Sequence, residues 1–298
     1  MLVNSVLDVV GSTPLIRLKK MSSGNVFAKA DFLNPGGSVK DRVAKHIIES
    51  AEKQGKLKPG MIIIEATSGN TGIGLSLVGI QKGYGVVCVM PENMSEERKK
   101  IIRAFGGEII FSPAEESLTG SLRKMKETIQ AEPEKYFVAN QFSNPHNPEV
   151  HYQQTAPEIW QDANGEIDIF VAGVGSGGTL QGIGKFLKEK NSAIKIVAVE
   201  PKNSAALLGR EPGLHHIQGI GDGFIPDVLD VNLVDMVFTV SDEDAIETTR
   251  RLSREEGLLV GTSSGANVFA ALHVDNGRNK VVTILPDRAE RYFSTALL

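Results

Sequence analysis

Short runs of apolar, mostly β-branched residues alternate with helical patterns along almost the whole sequence. In the first half, "MIIIEAT" (61–67) and "GVVCVMP" (85–91) each precede a helical pattern, and "IDIFVAGVG" (167–175) and "IKIVAVEP" (194–201) continue the rhythm. Strands that are continuously apolar are buried on both faces, as in a parallel sheet with helices on either side. The pattern therefore predicts an α/β fold of doubly wound, mainly parallel sheets.

The length of 298 residues suits two such sheets better than one. The alternation is interrupted at "NQFSNPHNPEVHY" (140–152), which contains two prolines and three asparagines. We therefore expect two α/β domains. Functional residues should lie at the carboxyl ends of the strands, in the cleft between the sheets.

The composition argues against several classes of partner. A formal net charge of −4 gives no electrostatic reason to expect binding to nucleic acid or to an anionic membrane. The sequence shows neither a basic leader nor an apolar run of the roughly 18 residues that a membrane helix needs. The single cysteine, Cys88, lies in a predicted buried strand, and the six histidines show no ligand spacing with cysteine or carboxylates. We therefore expect a cytoplasmic protein and predict no metal site.

Three junctions between a predicted strand and the next helix are rich in glycine, serine and threonine. They are "ATSGNTG" (66–72), "GVGSGGT" (173–179) and "GTSSGA" (261–266). Glycine lets the backbone approach a ligand, and the N-terminus of the following helix presents unpaired N–H groups with a partial positive charge. Each junction is a candidate anion-binding loop, although such turns also use glycine for purely structural reasons.

The second of these loops also fits a dinucleotide-binding fingerprint. Gly173, Gly175 and Gly178 match GxGxxG between a strand and a helix, and Glu200 ends the next strand about 20 residues later. Taken alone, this segment is compatible with an NAD-dependent oxidoreductase, which stays an alternative at this point.

Lys40 lies where the turn "NPGGSV" (34–39) becomes an amphipathic helix. The positive end of a helix dipole disfavours a cation, and only Asp41 compensates for it nearby. The amine should therefore lose its proton more readily, which suits a nucleophile or a base. From the residues alone, a functional lysine and an ordinary solvated one are equally tenable.

Four motifs in a fixed order resemble those of one enzyme family. "NPGGSVKDR", "TSGNTG", "GSGGT" and "GTSSGA" are similar to the motifs of the pyridoxal-phosphate enzymes of the cysteine synthase (O-acetylserine sulfhydrylase) and cystathionine β-synthase family. The likeness runs nearly from end to end, from "VGSTPLIRL" (10–18) to "PDRAERYFST" (286–295). It implies pyridoxal 5′-phosphate as the cofactor and makes the NAD alternative remote.

The resemblance also implies an organisation and partners. By this resemblance, residues 39–142 form a smaller α/β domain and residues 1–38 plus 143–298 form a larger one, with the active site between them. Members are usually homodimers, and cysteine synthases can bind the C-terminal tail of serine acetyltransferase in the cleft. A non-catalytic protein on the same fold is disfavoured because Lys40 and the other matched residues are retained.

The cofactor contacts implied by the resemblance can be assigned residue by residue. Lys40 matches the lysine that forms the internal Schiff base and later moves the substrate α-proton. Asn70 matches the amide that bonds the ring 3′-oxygen, and Ser263 matches the hydroxyl that faces the pyridine nitrogen. A neutral partner does not force that nitrogen to be protonated, which favours α,β-elimination over transamination. The residues matched to the phosphate cradle are Gly175, Ser176, Gly177, Gly178 and Thr179.

The implied reaction is a β-replacement on an amino acid that carries a leaving group on Cβ, through an aminoacrylate. With O-acetyl-L-serine and sulfide it gives L-cysteine and acetate, whereas homocysteine would give cystathionine. The residues matched to substrate binding are Thr67, Ser68, Gly69, Thr71, Gln141 and Gly221.

Two stretches depart from the pattern of the synthases. In "GIGDGFIP" (219–226), Asp222 stands where alanine is usual, and Arg288 and Ala289 follow the aspartate of "PDRAERY", where small residues are usual. The family places the first loop close to the reacting Cβ. Asp222 is then either a turn residue or a catalytic acid or base acting on a thiol or water. The second possibility favours an enzyme that releases sulfide from L-cysteine and forms lanthionine, cystathionine or serine. Arg288 is a candidate partner for Asp222.

Overall fold

A computed structural model describes residues 2–23, 25–67 and 69–295, and within them strands and helices alternate as the sequence predicts. The strands are β1 (Leu15–Arg17), β2 (Val26–Lys29), β3 (Ile62–Ala66), β4 (Gly85–Pro91), β5 (Glu108–Ser112), β6 (Tyr136–Val138), β7 (Ile169–Gly173), β8 (Lys195–Pro201), β9 (Met236–Val240) and β10 (Val281–Ile284). The α-helices are α1 (Lys40–Lys53), α2 (Asn70–Lys82), α3 (Glu96–Ala104), α4 (Ser117–Ala131), α5 (His146–Val150), α6 (Ala156–Asp162), α7 (Gly178–Lys190), α8 (Asp242–Arg251) and α9 (Thr262–Val274).

The smaller sheet has the strand order β5-β4-β3-β6, and all its pairs are parallel. One face is covered by α1, α2 and α3, which contribute Ile47, Ile73 and Ile102 to a buried cluster. The opposite face is covered by α4, whose Leu118 and Met125 pack with the inner residues of β3 and β4. Helices on both faces are the doubly wound arrangement that the continuously apolar strands predict.

The larger sheet has the order β1-β2-β10-β7-β8-β9 and is parallel except for the edge strand β1, which pairs antiparallel with β2. Residues of α8 and α9, such as Ala245 and Val268, cover one face. Residues of α6 and α7, such as Ala156 and Leu180, cover the other. The predicted α/β class with two mainly parallel, doubly wound sheets is confirmed.

Helix α1 packs against α2 and also contacts α5, so it touches elements that flank both sheets. The domain division at residues 39–142 stays a prediction, although all four strands of the smaller sheet fall within that range. Among the described residues, no helix is both long enough and apolar enough to cross a membrane.

Candidate active site

One cleft is lined by residues that follow strands of both sheets, as expected for the carboxyl ends of parallel strands. Three predicted glycines allow close packing around it: Gly69 and Gly221 lie in loops, and Gly178 is the first residue of α7. Ser68 lies outside the described residues. The other predicted site residues all line the cleft: Lys40, Thr67, Asn70, Thr71, Gln141, Gly175, Ser176, Gly177, Thr179, Asp222 and Ser263.

Lys40 is the first residue of α1, and its side chain enters the cleft rather than solvent. Its Nζ donates a hydrogen bond to Ser176 Oγ over 2.8 Å. Desolvation lowers the pKa of Lys40 to about 8, against the opposing effect of Asp222 and Glu65. The sequence argument attributed this shift to the helix dipole, but in the structure burial is the main cause.

The loop between β7 and α7 is shaped to receive an anion. Gly177 has a φ of +79°, which favours glycine, and no side chain caps the helix. Gln181 donates to the Gly177 carbonyl, so the N–H groups before it have no acceptor within the helix. A Cβ on Gly178 would collide with the side chain of Asn147, and one on Gly175 would collide with the carbonyl of Gly219. Only glycine therefore fits where these segments meet, next to the unpaired N–H groups at the start of α7.

Thr179, at the start of α7, is backed by a histidine that the sequence analysis did not single out. His151 is fully buried, and its Nε2 lies 3.3 Å from Thr179 Oγ1, while its Nδ1 lies 3.0 Å from Thr155 Oγ1. Burial and nearby cations hold the pKa of His151 well below its usual value. A neutral imidazole therefore packs behind the predicted phosphate loop.

Asn70 is held at one end and has an unpaired atom at the other. Its Nδ2 donates to Asp287 over 2.6 Å, while its buried Oδ1 has no hydrogen-bond partner among the described residues. The same carboxylate accepts a 2.5 Å hydrogen bond from the hydroxyl of Tyr292. Arg98 in turn donates to that hydroxyl over 2.9 Å. A buried polar atom without a partner marks a place for a polar ligand.

A second set of contacts shapes the substrate side of the cleft. Thr71 Oγ1 donates to Gln141 Oε1 over 2.6 Å, which joins the two predicted substrate segments. The carboxylate of Glu65 accepts hydrogen bonds from the backbone of Asn140 and Gln141 over 2.6 and 3.2 Å. Desolvation raises the pKa of Glu65 to about 7. Sequence reasoning missed Glu65, although an acid inside the apolar run "IIIEAT" was its available signal.

Asp222 lies in a loop that other residues hold in place. The carbonyl of Gly221 accepts from Ser204 Oγ over 2.9 Å and is 3.0 Å from His215 Nε2. Gly221 and Gly223 have φ angles of +74° and +85°, so they supply the turn geometry. Desolvation raises the pKa of Asp222, against the opposing effect of Lys40 and His215. Among the described residues, the Asp222 carboxylate forms no hydrogen bond with its own loop.

Arg288 lies elsewhere than the sequence suggested. Its Nε donates to the carbonyl of Phe32 over 2.9 Å, beside the turn that precedes Lys40. No ion pair with Asp222 forms among the residues that the structure covers. The interpretation of Arg288 as a partner for Asp222 has no support in these contacts.

Residues 6–287 match the sequence profile of the family described as "Pyridoxal-phosphate dependent enzyme". The chain belongs to this family. A curated cysteine synthase of Staphylococcus aureus is 47% identical over 302 residues, which cover 99% of this chain and 97% of that protein.

Two solved structures show the same fold. O-acetylserine sulfhydrylase isoform 3 from Entamoeba histolytica is 44% identical, with a TM-score of 0.94 over 100% of this chain and 92% of that one. A hydrogen sulfide-producing enzyme from Fusobacterium nucleatum is 43% identical, with a TM-score of 0.94 over 98% of this chain and 100% of that one.

The residues in the cleft fit the cofactor of this family, pyridoxal phosphate. The start of α7 offers N–H groups for a phosphate, Lys40 offers an amine with a lowered pKa, and Asn70 offers an unpaired amide oxygen. The dinucleotide alternative is wrong, since the family is pyridoxal-dependent. The Glu200 carboxylate accepts hydrogen bonds from the backbone of Leu207 instead of being available to a ribose.

Proposed function

We propose that this protein is a cysteine synthase, which replaces the acetate of O-acetyl-L-serine with sulfide to give L-cysteine. The observation that carries the proposal is the position of the Lys40 amine, hydrogen-bonded to Ser176 of the anion-binding loop. The Thr71–Gln141 hydrogen bond lies in the same cleft. Near-full-length identity of 47% to a cysteine synthase supports the same conclusion.

The chain's own residues can bind both the cofactor and the amino-acid substrate. When bound, pyridoxal phosphate supplies an electron sink that makes the α-proton of an amino acid acidic enough to remove. The N–H groups at the start of α7 would hold the phosphate, and Asn70 and Ser263 would orient the ring. Thr67, Thr71 and the amide of Gln141 would bind the substrate carboxylate and so fix its α-carbon toward Lys40.

Lys40 would accept and return the α-proton. Its pKa of about 8 lies near neutral pH, where a general base combines a useful deprotonated fraction with sufficient basicity. The principal test is product analysis of the purified holoenzyme with O-acetylserine and sulfide, beside the variant Lys40→Ala. The proposal is supported if the wild-type enzyme forms cysteine and Lys40→Ala does not. Equal cysteine formation by both proteins refutes the role of Lys40.

A second candidate function is release of sulfide from L-cysteine, and the Asp222 carboxylate favours it. Burial raises the pKa of Asp222, and the carboxyl, when protonated, would give its proton to the departing hydrosulfide, forming hydrogen sulfide. The resulting carboxylate can then take the proton of an incoming thiol or water, which returns Asp222 to its starting state. The hydrogen sulfide-producing relative from Fusobacterium nucleatum shows that this fold occurs in an enzyme of that description.

The two functions are separated by Asp222→Asn, which keeps the size of the side chain but removes its acid–base chemistry. Sulfide release from cysteine alone and cysteine synthesis from O-acetylserine should both be measured. A loss of the first activity with the second retained supports a catalytic Asp222. An unchanged ratio of the two activities contradicts it.

We also propose the domain division 39–142 against 1–38 plus 143–298, a homodimer, a cytoplasmic location, and docking of the serine acetyltransferase C-terminal tail in the cleft. The support for these is the family relationship and, for the domains, the two separate sheets. Light scattering would test the dimer. Competition between O-acetylserine and a peptide of the acetyltransferase C-terminus would test the docking.

A further inference from the structure

Three side chains that commonly bind metal ions lie together on helices outside the active-site cleft. His46 belongs to α1, and His146 and Glu149 belong to α5, one turn apart. Within the described residues, they are the one group of three such side chains whose ligand atoms all lie within 4.8 Å of one another. None of them lines the cleft, so the cluster is separate from the catalytic machinery.

The cluster is organised around one carboxylate oxygen. Glu149 Oε2 lies 3.1 Å from His46 Nε2 and 2.5 Å from His146 Nδ1. A tetrahedral zinc ion with bonds of about 2.0–2.1 Å needs ligand atoms roughly 3.3 Å apart. An ion can therefore replace the hydrogen bonds after side-chain shifts of about 1 Å or less, because its ligand spacing is close to the present one.

Two glutamines contact the atoms of His146 and Glu149 that would face away from a bound ion. Gln54 Nε2 lies 2.9 Å from the other ring nitrogen of His146, and Gln153 donates to the other oxygen of Glu149 over 2.9 Å. With its amide turned over, Gln54 accepts the N–H of a metal-bound His146. Outer partners of this kind orient metal ligands and fix the tautomer of a ligating histidine.

The three side chains remain open to solvent, which gives an ion access. Their exposed fractions are 17% for His46, 22% for His146 and 38% for Glu149. Two imidazoles and one carboxylate form a donor set that suits zinc, with a fourth position left for water.

We propose that His46, His146 and Glu149 form a binding site for a zinc-type divalent cation that bridges α1 and α5. Sequence spacing does not reveal the three-residue cluster, because His46 is 103 residues from Glu149 and only the fold brings them together. The ion would connect the helix that begins at Lys40 to the helix that follows Gln141. This inference does not depend on the reaction that the enzyme catalyses.

Calorimetric titration of the holoenzyme with Zn²⁺, in metal-free buffer without substrates, tests the proposal. We expect one ion per chain in wild type. Loss of an outer partner typically weakens metal binding 10–100-fold, so Gln54→Ala should fall in that range and His146→Ala or Glu149→Gln should lose about 100-fold or more. His216→Ala removes an exposed histidine outside the cluster and should bind as wild type does.

Thermal unfolding supplies a second measurement. Zn²⁺ should raise the melting temperature of wild type and of His216→Ala, but not that of Glu149→Gln, which keeps the side-chain shape and so should fold. Lys40→Ala should still bind Zn²⁺, which separates this site from chelation by the cofactor. Wild type binding less than one equivalent overturns the proposal. Equal affinity in wild type and Glu149→Gln also overturns it.

Discussion

Gly178 is the position where two opposing effects of one methyl group can be weighed. Gly178→Ala places a residue with higher helix propensity at the first position of α7, a gain of at most about 1 kcal/mol. The new Cβ, however, would collide with the amide of Asn147, which is fully buried. Asn147 Nδ2 donates to the Gln141 carbonyl over 2.8 Å and to Ser176 Oγ over 3.0 Å.

The free-energy cost of the collision should exceed the gain from helix propensity. Overpacking costs about 1–3 kcal/mol and two lost hydrogen bonds cost about 1 kcal/mol each, so the net loss in the free energy of unfolding is about 2–4 kcal/mol. Urea unfolding of the apoprotein measures it. Displacement of Ser176 should also weaken pyridoxal phosphate binding, which titration of the visible absorbance band measures.

The matched control is Gly184→Ala in the same helix. There a Cβ would lie 3.0 Å from Leu233 Cδ2, the end of a flexible side chain, and 3.3 Å from Ile196 Cγ2, so the neighbours need to give by only a few tenths of an ångström. Its stability should stay within about 1 kcal/mol of wild type. Asn147→Ala makes room for the new methyl, so its combination with Gly178→Ala should cost less than the sum of the single changes. Gly178→Ala as stable as wild type would refute the reasoning.

Three further predictions follow from buried charges. Because the pKa of Lys40 is about 8, uptake of pyridoxal phosphate by the apoprotein should accelerate with pH up to about 8 and then level off, and Lys40→Ala should show no visible absorbance band. Burial raises the pKa of Glu65 from 4.5 to about 7. The protonated carboxyl therefore contributes favourably to the free energy of unfolding below the unfolded pKa, and this contribution is lost as pH rises through about 7. Unfolding at pH 5 and pH 8 should therefore show a smaller loss of stability for Glu65→Gln than for wild type, the difference being about 3 kcal/mol. Arg42→Met leaves the buried carboxylate of Asp31 without its ion pair and should cost about 3–5 kcal/mol of unfolding free energy, whereas Arg123→Ala on the surface should cost less than about 1 kcal/mol.

The fold could be predicted because its signals are local. The central strands β3, β4, β7 and β8 are apolar runs, and glycine precedes or begins α2, α7 and α9, so the alternation of the two patterns predicts the α/β class. The meeting of Thr67, Gly175 and Ser263 in one cleft also followed, since the carboxyl ends of parallel strands share an edge. The antiparallel strand β1 was not predicted, because three residues carry too little periodicity to identify.

The contacts that orient the site could not be predicted. Asn70 meets Asp287 across 217 residues, and Arg98 meets Tyr292 across 194. No spacing rule links such distant positions, and each residue has an ordinary local role as well. Lys40 shows the same limit, because its lowered pKa comes mainly from burial by distant segments rather than from its own helix.

The hydrogen bond from Asn70 to Asp287 has a consequence for the order of events during synthesis. Lys40 emerges from the ribosome first and the phosphate loop follows, but the carboxylate that orients Asn70 emerges 217 residues after Asn70 itself. Tyr292, which donates to that carboxylate, emerges later still. The orientation of Asn70 by this carboxylate is therefore absent from any nascent chain that has not yet reached Asp287.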